Sequence, residues 1–189
     1  MTSLLALALL ASQTTPPAPL APAPEPKLKK NVGDLAPDFT VETPDGKPLR
    51  LSSFRGKVVL LDFWATWCGP CQLAMPKIQN VVSRVKNQDV VVLAVNVWDD
   101  RAPFEKWMKE NAGTKYSFTF GYDPASARTS PKAKRDASVA KKVYGVFGIP
   151  TVFIIGRDGR IAETLVGIHP DEEERITAAF AGLGVKVKS

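Results

Sequence analysis

Apolar and polar positions follow two rhythms from residue 38 onward. Asp38-Phe39-Thr40-Val41 and Leu49-Arg50-Leu51 alternate around Pro44-Asp45-Gly46-Lys47, a turn sequence, which predicts a small hairpin. Val58 to Trp64 and Val90 to Val97 are nearly unbroken runs of strand formers, the pattern of strands covered on both faces. Between them Leu73, Ile78, Val81, Val82 and Val85 recur at helical spacing and predict a helix from Gln72 to Lys86. Pro76 falls inside that helix, where it is expected to cause a kink. Pro103 to Asn111 reads as a short helix with proline in its first turn. A loop bearing Gly113, Gly121, Pro124 and Pro131 follows, then a helical stretch near Asp136 to Tyr144. Thr151 to Ile155 and Arg160 to Val166 flank Gly156-Arg157-Asp158-Gly159 as a second hairpin. Pro170 to Ala181 closes the chain as a helix whose first turn is acidic, Asp171 to Glu174, where the helix dipole favours such charge. Helices alternating with strands of one sheet give an α/β sandwich.

The rhythm is absent before residue 31. Leu4 to Ala11 is an apolar run of eight, far short of the ~20 residues that cross a bilayer as a helix. Residues 1–13 therefore suit a secretory signal or an anchor segment. Residues 14–30 form a tether rich in proline and alanine, extended and unable to pack a core. Residues 31–187 are the folded domain. This organisation predicts an exported protein, periplasmic or membrane-anchored on the extracytoplasmic side. The formal charge of +6 is spread along the chain, with denser spots at Lys27, Lys29 and Lys30 and at Lys132, Lys134, Arg135, Lys141 and Lys142. No aromatic or glycine-rich nucleic-acid motif accompanies them, so they read as solvated faces and no nucleic-acid partner is expected.

The chemistry concentrates in Trp67-Cys68-Gly69-Pro70-Cys71, which holds the only two cysteines. Thiols two residues apart can close into a disulfide and open again, passing electrons to another thiol pair. The strand before and the helix after place Cys68 at a helix N-terminus, where unpaired N–H groups and the dipole favour the thiolate. A fall in thiol pKa from ~8.5 to ~7 raises the thiolate fraction at pH 7 about sixteenfold. A Brønsted slope near ~0.5 takes back roughly sixfold in nucleophilicity. The low pKa thus serves Cys68 mainly as a leaving group. Cys71, one turn further in, is expected to be covered and protonated until it resolves a mixed disulfide. A structural bridge is disfavoured because so short a loop adds little stability. Asp62 stands in an otherwise apolar strand, where a carboxylate must be protonated, paired or turned to solvent. His169 lacks neighbouring ligands, so no metal site and no cofactor beyond the cysteine pair are expected. Trp64, Trp98 and Trp107 read as packing.

These residues resemble the thioredoxin superfamily, and within it the exported TlpA/ResA-type thiol–disulfide oxidoreductases, over about residues 31–185. Gly33-x-x-Ala36-Pro37-Asp38-Phe39, Leu61 to Cys71, Tyr144-Gly145-Val146-x-Gly148-Ile149-Pro150-Thr151 and the Asp158-Gly159 hairpin carry the likeness. The resemblance implies a three-layer α/β sandwich, a central mixed sheet flanked by helices, with an added N-terminal β-hairpin. It implies Asp62 as the acid that shuttles the proton of the buried thiol and Pro150 as a cis-proline packed on the cysteine pair. It further implies that Trp67, Gly69, Pro70 and the backbone of Ile149 meet an extended substrate segment. Gly69-Pro70 between the thiols is the pattern of reducing thioredoxins. Protein thiols and disulfides, with a membrane or periplasmic electron donor, are then the partners of a monomer.

Two departures qualify the resemblance. Relatives that serve cytochrome c assembly commonly carry Glu three residues after the second cysteine, where this chain has Ala74. The Lys that many thioredoxins set near the buried acid is absent from Val90 to Val97, leaving Asp62 as the sole titrating group expected near the thiols. Cytochrome c maturation is thereby weakened as an alternative. A thiol peroxidase is another, since the Ala36-Pro37-Asp38-Phe39 opening is shared with peroxiredoxins. That chemistry wants Pro-x-x-x-Thr/Ser-x-x-Cys, and Leu61 stands seven residues before Cys68. A binding module with an incidental cysteine pair is the third reading, opposed by the intact motif with Asp62 and Pro150.

Overall fold

The computed structural model describes residues 31–85, 90–128 and 130–188. The apolar run at residues 1–13 and the tether at 14–30 lie outside them. Among the described residues no helix is long and apolar enough to cross a membrane.

The first hairpin forms as expected, β1 (Thr40–Glu42) against β2 (Pro48–Arg50). The two unbroken apolar runs become β3 (Val58–Trp64) and β4 (Val90–Asn96), parallel neighbours in register from Val58↔Val90 to Trp64↔Asn96. The second hairpin is β6 (Thr151–Ile155) with β7 (Ile161–Val166), and β6 runs antiparallel to β3. One further strand, β5 (Thr119–Tyr122), lies inside the stretch expected to be a loop. It pairs parallel with β4 and antiparallel with β1, so it joins the N-terminal hairpin to the sheet in the order β2-β1-β5-β4-β3-β6-β7. Gly121 hid this strand. A Cβ there would come within 2.7 Å of Val41 Cγ2, so the close approach of β1 requires a residue without one.

Helix α1 (Gly69–Ser83) starts directly after Cys68, three residues before the periodic pattern, and contains Pro76. Helix α2 is Arg101–Asn111. The expected helix near Asp136 to Tyr144 is two short ones, α3 (Pro131–Ala137) and α4 (Val139–Lys142). Ser138 divides them because its Oγ accepts the Lys141 N–H at 3.2 Å and so starts a new helix. The basic cluster there is engaged locally. Lys132 and Lys141 pair with Asp136, Lys134 pairs with Asp100, and Arg135 lies over the Trp98 ring. Helix α5 (Glu172–Gly182) ends the domain.

Strand alternation splits the core into two layers. Val58, Leu60 and Trp64 face α1, α2 and α5, packing with Met75, Ile78, Phe104, Ile176 and Phe180. Val59, Leu61 and Phe63 face the opposite side with Tyr144, Phe153 and residues of α4. Phe63, Tyr144 and Phe153 lie with ring centroids 5.1–6.2 Å apart, each contact adding about 0.5–1.5 kcal/mol beyond its buried area. The Tyr144 hydroxyl donates to Pro37 O at 2.8 Å and ties down the start of the domain.

Candidate active site

The site sits where β3 hands over to α1. Cys68 has extended backbone and caps the helix, its N–H donating to Ala65 O and its carbonyl accepting from Gln72 N–H, each at 3.2 Å. The Cys71 N–H points at Cys68 Sγ, 3.2 Å away. When the pair is reduced, that donor and the helix dipole stabilise a Cys68 thiolate. The two cysteines are joined as a disulfide with Cα atoms 5.3 Å apart. Cys68 is less open than the sequence suggests: it is 3% exposed, against none for Cys71. The loop at Ile149 covers it, with Ile149 O 3.7 Å from Cys68 Sγ.

That loop carries the cis Ile149–Pro150 bond expected from the resemblance. Thr151 Oγ1 donates to Gly148 O and Gly167 N–H donates to Pro150 O, both at 2.8 Å, fixing the loop between β6 and the end of β7. Exposed apolar side chains lie on the segments that carry the site: Trp67 at 61% and Leu73 on either side of the cysteine pair, Phe147 before the cis-proline and Ile168 after β7. Gly69 and Pro70 are exposed between them. Trp64 is fully buried, while Trp98 and Trp107 are half-buried packing residues as anticipated.

Asp99 holds the approach to Cys68 and was not singled out by the sequence. It is 4% exposed, and its Oδ2 accepts from Thr66 N–H at 2.7 Å and from Asn96 Nδ2 at 3.2 Å. The one signal for it was Asn96, a polar residue closing an apolar strand, with an acid three positions on. Next to it Trp98 has φ of +61°, a conformation that costs a bulky residue about 1 kcal/mol or more. Its Nε1 donates to Ser138 Oγ at 2.8 Å and its carbonyl accepts from Trp67 Nε1 at 3.3 Å, so the strained residue positions the exposed indole.

Asp62 points inward. It is 1% exposed, and its register partners Ala94 and Val152 belong with Cys71 to the core layer under α1 and α5. Neither carboxyl oxygen has a hydrogen-bond partner. Burial, reinforced by the charge of Glu172, pushes its pKa from the ordinary 3.8 up to about 7.

Glu172 corrects the expectation that Asp62 is alone. Ala74 is fully buried, so no acid enters from that position of α1; α5 supplies one instead. Glu172 is 1% exposed, with Oε2 3.6 Å from Lys77 Nζ. Glu172, Ile176 and Phe180 are all buried, four residues apart. That spacing placed Glu172 on the core stripe, a signal masked by the three consecutive glutamates of a dipole-favoured first turn. His169 contacts Val166 O and Arg175, and among the described residues no group of His, Cys, Asp and Glu is arranged to hold a metal.

Comparison with known proteins bears on the same residues. The thiol–disulfide oxidoreductase ResA of Geobacillus thermodenitrificans is 32% identical over 142 residues, 75% of this chain and 73% of that protein. ResA of Bacillus subtilis is 31% identical over 135 residues, 71% of this chain and 67% of that one. A solved structure from Chlorobium tepidum, provisionally named thiol:disulfide interchange protein DsbE, superposes with a TM-score of 0.67 at 30% identity. It covers 82% of this chain and 99% of its own. The family model described as Redoxin matches residues 31–180, which hold the cysteine pair, Asp62, Glu172 and the cis-proline loop, and so the chain belongs to the Redoxin family.

Proposed function

We propose that this protein is a thiol–disulfide oxidoreductase that reduces protein disulfides through the Cys68–Cys71 couple. The carrying observation is a disulfide at a helix N-terminus, with Cys71 N–H aimed at Cys68 Sγ and a buried, unpaired carboxyl in the same core layer. In the reduced protein, the Cys68 thiolate attacks one sulfur of a substrate disulfide. A mixed disulfide forms and the other substrate sulfur leaves as a thiolate. Asp62, as carboxylate, takes the proton of Cys71. The Cys71 thiolate then attacks Cys68 Sγ, the second substrate thiolate leaves, and the intramolecular disulfide forms. Two electrons have passed to substrate, and a dithiol donor must return them.

Substrate meets the apolar surface of Trp67, Gly69, Pro70 and Phe147, with the backbone at Ile149 alongside an extended segment. The proximity of Ile149 O to Cys68 Sγ supports this placement. The sequence before residue 31 supports export, with the domain held on a tether outside the cytoplasm.

Trapping tests the assignment of roles. With a disulfide-bonded protein such as insulin, Cys71→Ser accumulates a covalent complex through Cys68, read by non-reducing electrophoresis and mass spectrometry, whereas Cys68→Ser accumulates none. Equal trapping by both variants refutes the division of labour between the two thiols.

A further inference from the structure

Two buried acids on this face of the sheet have carboxyl oxygens without hydrogen-bond partners: Asp62 on β3 and Glu172 on α5. The mechanism above uses only the first. An unpartnered carboxylate nine-tenths buried is costly, so its retention needs a compensating partner or a role. Lys77 of α1 supplies part of the compensation. Its ammonium lies 3.6 Å from Glu172 Oε2 and donates to His169 O at 3.0 Å, while its side chain stays 31% exposed. Lys77, part-exposed, and buried Glu172 thus connect the layer to solvent.

We propose that Glu172, held by Lys77, is a positioning residue for proton transfer, coupled electrostatically to Asp62 beneath the α1–α5 layer. The inference rests on the reading that Asp62 serves Cys71. Taking the Cys71 proton converts Asp62 from carboxylate to neutral acid, and a negative charge on Glu172 in the same layer favours that change. Two such carboxyls titrate as a pair. Repulsion by the ionised form of Glu172 adds to burial in keeping Asp62 protonated to higher pH; burial raises the pKa of Glu172 as well, and Lys77 opposes that rise.

The surroundings leave few other contributors. On α5, Glu173 is occupied by Asn80 and Arg84. On β7, Glu163 is paired with Arg175 at 2.9 Å. His169, before α5, bonds Val166 O and favours the ionised form of Glu172. Strands β4 and β6 carry no ionisable side chain. The other titratable groups of the layer are Cys68 and Cys71, once the disulfide opens, and Tyr116 and Tyr122, whose phenols burial pushes upward.

The test is the pH profile of resolution by Cys71, followed by stopped flow from pH 5 to 9 in wild type, Glu172→Gln, Glu172→Asp and Asp62→Asn. Gln keeps the shape of Glu172 and removes its charge. The inflection assigned to Asp62 is expected to move to lower pH by about half a unit or more, and Glu172→Asp is expected to restore most of it. A slower reaction with an unmoved inflection in Glu172→Gln makes Glu172 merely structural and overturns the proposal. If Asp62→Asn leaves resolution and its profile unchanged, the reading of Asp62 fails first, independently of Glu172. Carboxyl carbon NMR on the reduced wild type covers a Gln variant that fails to fold. Coupling predicts that the Asp62 and Glu172 signals each respond over the same pH interval, and two independent single-site curves refute it.

Discussion

At the scale of single residues, the proposed mechanism turns on a carboxyl group buried at a cost. Asp62 binds its proton more tightly in the folded protein than in the unfolded chain, with a folded pKa of about 7 against 3.8. Raising pH through that interval deprotonates the unfolded chain first, so the folded state loses stability from about pH 4 upward until Asp62 is fully ionised above about 7. A rise from 3.8 to about 7 corresponds to about 4 kcal/mol. Asp62→Asn is therefore predicted to be more stable than wild type at pH 8 by up to about 4 kcal/mol, with the gain shrinking toward pH 4. Urea denaturation at the two pH values checks it, and an equal difference at both removes ionisation as the cause. The same variant is predicted to slow resolution by Cys71 more than first attack by Cys68, since in the proposed mechanism only the Cys71 thiol hands its proton to Asp62. Stopped-flow exchange separates the steps, and equal losses in both contradict the role. The sequence made Asp62 conspicuous because one acid stood in an apolar strand. Glu172 escaped because the first turn of a helix is an ordinary place for acids, and only its four-residue spacing to Ile176 and Phe180 marked it. Asp99 escaped because its partners, Thr66 N–H and Asn96, meet it only after the chain has folded.

At the scale of elements, the strand-to-helix junction that makes Cys68 an N-cap was legible from the run Val58 to Trp64 and the periodicity after it. The helix begins at Gly69 rather than Gln72 because glycine and proline give no periodic signal while proline readily opens a first turn. The missed element is β5, since Gly121 inside a strand looks like a loop residue until β1 is laid against it. That close approach yields a prediction. Gly121→Ala brings a methyl group against Val41 Cγ2 and is predicted to destabilise the domain by about 1–3 kcal/mol, as overpacking generally does. A lowered urea midpoint without a change in slope reports it. Since β5 lies between the N-terminal hairpin and β4, Gly121→Ala with Val41→Ala is predicted to recover part of that loss, less the loss intrinsic to shortening Val41. An unchanged midpoint in Gly121→Ala contradicts the packing described.

At the scale of the whole molecule, two features act together. A sheet covered on both faces fixes Cys68, the cis-proline loop and Asp62 relative to one another, and the exposed Trp67 stands next to Cys68 in the chain. The resemblance indicated these parts separately; the fold shows them converging, with Cys68 more covered and the acid less solitary than residue patterns alone implied. If the Cys68–Cys71 disulfide is a working redox couple that donates electrons, its reduction potential lies in the reducing range. Equilibration of the whole protein with glutathione and dithiothreitol buffers, read by alkylation and mass, gives the value. A couple near about −270 mV, as for a reducing thioredoxin, is predicted. A value near about −120 mV would make the protein an oxidant, and a disulfide that stays closed well below about −300 mV would make it a structural bridge; either result contradicts the claim.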